Sequence, residues 1–169
     1  MPPITWPYIH ITINHFPVVL CAMGSAGAVL ALIKKKRGIW LYTMATMTAA
    51  GLMVGPVYLS GDKADEALHD PWYIKSGVID THNAAANFAL AALLITGAIC
   101  AYSWWRALRY RDEPIPQFIR AAVLISSLFS FSVVARTAYL GGKIIHEAPV
   151  LSLPTAPAGA AVPADTAAH

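Results

Sequence analysis

Charge is scarce in this chain. Asp, Glu, Lys and Arg make up only 12% of its 169 residues, against 57% hydrophobic residues. A soluble domain carries roughly a quarter charged residues. This chain cannot cover a globular surface with charge, so it reads as a membrane protein. Cysteine is scarce as well, with only Cys21 and Cys100. No CxxCH occurs, which argues against a covalently attached c-type haem. There is no CxxC pair, Walker loop or dinucleotide fingerprint. Cys21 is expected near the outer end of its span and Cys100 near the inner end of another, so no disulfide is expected between them. The region Met1–Ile13 lacks a basic segment, so no cleavable signal peptide is expected.

What the chain has instead is apolar length. Four stretches, near Ile9–Ile33, Ile39–Ser60, Ile79–Trp104 and Phe118–Gly141, reach the ~20 residues that a helical membrane span needs. Their short connections predict one all-α domain, an up-down four-helix bundle over residues 1–148. Residues 149–169 read LSLPTAPAGAAVPADTAAH after Val150 and lack periodicity. An Ala- and Pro-rich external tail is expected there, and His169 within it is not expected to be a ligand.

The few charges are sorted. Lys34, Lys35, Lys36 and Arg37 fill the first connection, and Arg106, Arg109, Arg111 and Arg120 surround the third, eight of the twelve basic residues. Asp62, Asp65, Glu66, Asp70 and Asp80 lie at the opposite end. The positive-inside rule then places both basic connections in the cytoplasm and both termini outside, in a bacterial inner membrane. The pI near 9.0 follows from this arrangement and gives no argument for nucleic acid.

Five of the six histidines fall at the outer end under this topology: His10, His15, His69, His82 and His146. A histidine at membrane depth is costly without a partner and marks a functional site by default. His10 and His15 open the first span in IHITINHFPVVL, with Pro17 acceptable in the first turns. His82 opens the third span, with Ala85, Ala86 and Ala89 below it. Such small side chains suit a flat macrocycle, and they suit helix packing equally. Arg136 falls within the fourth span, where either a haem propionate or Asp80 or Asp62 would pair with it. Gly141-Gly142 is expected to end that helix and fold His146 back over the bundle mouth. The second span offers GLMVG, Gly51 to Gly55, for close backbone approach, and Pro56 for a kink. The SGDKADEALHD stretch is expected to be a solvated polar loop, and His69 in it a weak ligand candidate.

HITINHFPVVL, YLSGDKADEAL, the HNAAA start of the third span and TAYLGGKIIHEAP, taken in order, resemble a family of bacterial four-helix membrane proteins, the domain of unknown function 2231 proteins. Members typically show an NHFP start, a TGEPAEE-like outer loop, an HExxA helix start and a GGxIRH exit. The resemblance covers residues 8–148. It places His15, His82 and His146 on the family's histidine positions, and His10 on a further common one. Asn83 stands where the family has an acidic residue, and Ile145 where it has arginine, so a proton-transfer role for those groups does not carry over. Some members are similar to partners of Rieske or c-type cytochrome domains, which implies redox work.

The expectation is therefore a membrane electron-transfer subunit rather than a stand-alone enzyme. One b-type haem, with room for a second, would be held by two of His10, His15, His82 and His146, with Arg136 at a propionate. Its circuit would join quinone to a periplasmic cytochrome or iron–sulfur protein within a larger complex. Two alternatives stand beside it. One is a haem-free anchor of a redox complex. The other is a transporter or metal-binding protein using the same four histidines. The topology is directly testable. Reporters fused after Lys36 and Arg111 should read cytoplasmic and one fused after His169 external; a cytoplasmic C-terminus would reverse the placement of every histidine.

Overall fold

The structure is a computed structural model that describes residues 5–68 and 77–146. The described residues are helical, with no strand: α1 (Trp6–Ile13), α2 (His15–Lys34), α3 (Arg37–Leu68), α4 (Val78–Arg109) and α5 (Gln117–His146). Four stretches are long and apolar enough to cross a membrane: Trp6–Lys34, Arg37–Ala67, Val78–Arg109 and Gln117–Ile144. The chain is therefore consistent with a multi-pass membrane protein. The first stretch is broken at Asn14, between α1 and α2. Pro17 explains the break. Its ring nitrogen cannot donate to the carbonyl of Ile13, and the ring crowds that carbonyl.

The helices pack as a ring. α2 lies against α3 and α5, and α4 lies between α3 and α5, while α1 extends from α2 across α3. The interior is made of small and polarisable side chains. Met44, Met47, Leu93, Val123, Cys21 and Cys100 are fully buried, together with Thr43, Thr96, Ser127 and Ser130. Both cysteines are free thiols. The buried hydroxyls bond across helices: Ser25 Oγ donates to the Ser127 carbonyl at 2.9 Å, and Thr96 Oγ1 and Ser130 Oγ share a bond at 2.8 Å. Large side chains face outward instead; Leu52 is 73% exposed and Phe118 70%. A soluble bundle would reverse this arrangement, whereas lipid requires it.

Small residues set how close the helices come. At Gly51 an added Cβ would meet Gly97 Cα at 2.8 Å and the Leu93 carbonyl oxygen at 3.0 Å, so α3 and α4 touch backbone to backbone. Gly55, the other glycine of GLMVG, has nothing within 4 Å. At the basic end, Arg37 closes the bundle. Its Nη1 donates to the Glu113 carbonyl at 2.8 Å, and its Nη2 to the carbonyls of Tyr110, at 3.2 Å, and Ala107. The Ala107 and Tyr110 carbonyls sit at the C-terminal end of α4, where a cation is favoured.

Two expectations about helix ends are corrected. Residues 60–68 continue α3 and are not a loop. Ala64, Glu66, Ala67 and Leu68 are strong helix formers, Ser60 and Ala64 are buried, and Asp62, Lys63 and Glu66 face outward. Gly141 and Gly142 do not end α5, which continues to His146. Gly141 serves packing there rather than a turn. α3 also runs on through Pro56. The tail at 149–169, with His169, and the loop residue His69 lie outside the described residues.

The glycine contacts predict a contrast within one motif. Gly51→Val should cost about 3 kcal/mol, at the upper end of overpacking penalties, because backbone atoms must move apart. Gly55→Ala should be neutral or slightly stabilising. Denaturation of the purified protein in detergent, followed by helicity, measures both.

Candidate functional site

Two histidines turn inward at the end of the bundle opposite Arg37. His10 lies on α1 and places its ring on α3. Its Nδ1 is 3.2 Å from the Val57 carbonyl oxygen and 3.0 Å from Ser60 Oγ. His82 lies on α4 and places its ring on α5, with Nδ1 3.2 Å from the Thr137 carbonyl oxygen. A carbonyl only accepts, so each of these bonds requires the proton on Nδ1. Nε2 is then left with the lone pair and, among the described residues, no bonded partner.

The two contacts are near copies. In each, the accepting carbonyl lies four residues before a glycine on which the ring rests. A Cβ on Gly61 would meet His10 Cε1, Nδ1 and Nε2 at 2.9, 3.2 and 3.6 Å; one on Gly141 would meet the same atoms of His82 at 3.0, 3.3 and 3.8 Å. A lysine follows each glycine by two residues. Lys63 Nζ lies 4.8 Å from the Trp6 ring centre, and Lys143 Nζ 5.2 Å from that of Tyr139. The α1–α3 pair thus repeats the α4–α5 pair. The sequence carries a trace of this in YLSGDK and YLGGK, whose spacing differs by one residue. Reading the motifs separately misses it, because the first reads as a loop and the second as a helix stop.

The surroundings differ between the halves. Asn83 Nδ2 donates to Asp65 Oδ2 at 2.8 Å, which ties α4 to α3 beside His82. Tyr58 Oη donates to Asn87 Oδ1 at 2.6 Å one turn further along α4. Asp65 is close enough to act on the charge of His82, and His82 on that of His10. Asn14 is one helical turn from His10, and its Oδ1 is buried without a hydrogen-bond partner. Asp65 and the two glycines were not expected as part of any site.

The remaining candidates lie elsewhere. His15 is exposed, and its Nδ1 bonds back to the Ile11 carbonyl of α1 at 3.1 Å. His10 and His15 stand on either side of the break at Asn14, and of the two only His10 turns inward. His146 closes α5, and its side chain lies outside the described residues. Arg136 is exposed, and the one ion pair among the described residues joins Arg106 to Glu113. It lines an open groove between α4 and α5 that no histidine lines. Ala85 and Ala89 pack α4 on its neighbours: Ala89 is buried, and the Ala85 carbonyl accepts from Thr137 Oγ1 at 3.2 Å. No three His, Cys, Asp or Glu side chains among the described residues gather into a metal-ligand group.

No family model, curated protein or solved structure matches the chain. The family resemblance therefore rests on its motifs.

The glycine platforms predict independent sites of failure. Gly141→Ala pushes a methyl into His82 and should shift its imidazole ¹⁵N resonances while leaving those of His10 in place. Gly61→Ala should do the converse. Each substitution should cost about 1–3 kcal/mol as overpacking. Equal shifts at both rings from either substitution would disprove separate anchoring.

Proposed function

We propose that the chain is a membrane electron-transfer subunit that holds a b-type haem through Nε2 of His10 and Nε2 of His82. One observation carries this reading. Both rings bond through Nδ1 to a backbone carbonyl, the outer contact that typically fixes the tautomer and orientation of a metal-ligating imidazole. The donor chemistry suits the group. Two neutral imidazoles are the ligand set of a six-coordinate b-type iron, and the unpartnered Asn14 Oδ1 beside His10 offers a polar contact. A haem held this way supplies one-electron transfer without an open coordination position. The protein's part is to hold the two rings flat on Gly61 and Gly141 and to set the charge around them through Asp65 and Asn83.

In this reading the bundle inserts up-down-up-down in a bacterial inner membrane, with both termini and the histidines outside. Lys34–Arg37 and Arg106–Arg111 then lie in the cytoplasm. Trp6 and Tyr8 at one end, and Tyr102, Trp105 and Tyr110 at the other, are exposed aromatics at the two interfaces. The outer site would exchange electrons with quinone or with a periplasmic cytochrome or iron–sulfur partner. The resemblance to the domain of unknown function 2231 proteins supports the same setting. A second reading keeps the two imidazoles as ligands of a divalent metal, with no third His, Cys, Asp or Glu joining them among the described residues.

The visible spectrum of protein expressed with ample haem decides between them. Wild-type protein should show a low-spin b-type spectrum, and His10→Ala and His82→Ala should each abolish it. His15→Ala should leave it intact. Ser60→Ala removes a partner of His10 Nδ1 and should weaken haem retention by roughly tenfold. A haem-free wild-type protein, or an unchanged spectrum in the His10 and His82 variants, sinks the haem reading.

A further inference from the structure

The groove on the outside of α4 and α5 serves none of this. It has a volume of about 470 Å³ and is walled by Ala84, Ala85 and Phe88 on one side and by Phe129, Val133 and Arg136 on the other. Phe88 and Phe129 meet edge to face, 6.0 Å between ring centres, and close one end of it. Its hydroxyl groups are already committed. Thr81 Oγ1 donates to the Gly77 carbonyl at 2.7 Å, Ser132 Oγ to Leu128 at 3.0 Å, and Thr137 Oγ1 to Val133 at 3.0 Å. Arg136 is the exception. Among the described residues no hydrogen bond or ion pair reaches its guanidinium. An unpaired cation on a spanning helix is costly in hydrocarbon and favours an anionic neighbour at the headgroup level.

Depth and chemistry identify the occupant. The α5 span Gln117–Ile144 is 28 residues long. At 1.5 Å per residue Arg136 lies about 8 Å from its midpoint, on the histidine side. In a hydrocarbon layer about 30 Å thick, the guanidinium can snorkel to the phosphate plane. A guanidinium binds phosphate oxygens bidentately. A quinone carbonyl could accept from the guanidinium but brings no charge to neutralise it, and the groove has spent its hydroxyls on its own backbone, so the second carbonyl would find no donor.

We propose that this groove binds one anionic phospholipid from the leaflet on the histidine side. The phosphate sits on Arg136, and one acyl chain lies along Ala84, Ala85, Phe88, Phe129 and Val133.

Native mass spectrometry of the full-length protein, released from detergent with phosphatidylglycerol or phosphatidylcholine of the same chains, tests this. Wild-type protein should retain one phosphatidylglycerol with at least about a tenfold preference over phosphatidylcholine, as expected of a charge-assisted contact. Arg136→Gln should lose the preference and Arg136→Lys keep most of it. Ala84→Leu fills the groove with the charge intact and should lower retention of phosphatidylglycerol. Helical circular dichroism and a monodisperse elution profile establish that each variant is folded. The proposal is overturned if folded Arg136→Gln retains phosphatidylglycerol like wild type. It is overturned equally if Ala84→Leu leaves retention unchanged, or if a stoichiometric quinone displaces the lipid. None of these outcomes depends on whether haem is bound.

Discussion

Close approach between helix backbones is the constraint on which the rest of this bundle depends. In lipid, apolar surface gains nothing by leaving one hydrocarbon environment for another, so helices associate through packing and polar contacts. Here the closest approach is Gly51 against Gly97, where the two backbones leave no room for a Cβ. Around that crossing the interior mixes a few larger side chains such as Met47 and Leu93 with many small ones, alanine, serine, threonine and cysteine. The large side chains that would fill a soluble core lie on the lipid face. Interhelical hydroxyl bonds such as Thr96 to Ser130 are compatible with this spacing and would not survive a wider one.

The same economy of space explains how histidine enters the membrane. A neutral imidazole still carries an N–H that must find an acceptor. In an α-helix the carbonyls are engaged in the ladder, but a second donor can share one if it approaches closely. Glycine four residues later removes the side chain that would stand in the way. His10 uses Gly61 and His82 uses Gly141, with the ring lying on the glycine and Nδ1 reaching the carbonyl one turn back. Satisfying one nitrogen in this way frees the other. The anchor thus solves a solvation problem and at the same time presents a lone pair, which is why it supports a ligand role for both residues.

The spans were readable from the sequence because composition alone sets them: long apolar runs separated by clustered lysine and arginine. The crowding of histidines at one end was readable for the same reason. The helix ends were not. SGDKADEAL looks like a loop because it is polar, yet alanine, glutamate and leucine favour helix and Ala64 packs inward. Gly141-Gly142 looks like a stop because glycine commonly terminates helices, but here tertiary contact with His82 claims the position. The choice of His10 over His15 as the inward ring depended on the helical phase. That phase is interrupted at Asn14, between the two residues, so counting could not carry it from one to the other. Arg136 was legible as a charge within an apolar run, while its direction, into the outer groove, is a property of how α5 packs on α4.

Near-repetition also means that the two imidazoles are not equivalent. His10 has a serine hydroxyl and the Trp6–Lys63 pair near it; His82 has the Asp65–Asn83 pair. A carboxylate beside one ring and none bonded at the other creates an electrical asymmetry across whatever lies between them. Any group held by both would feel the negative charge of Asp65, on α3 beside His82. Asn83 therefore matters more as the clamp on Asp65 than as a group in its own right. An acidic residue in its place would repel Asp65 and loosen the α3–α4 contact, so the departure from the resembled motif at this position is one that the packing of this chain requires.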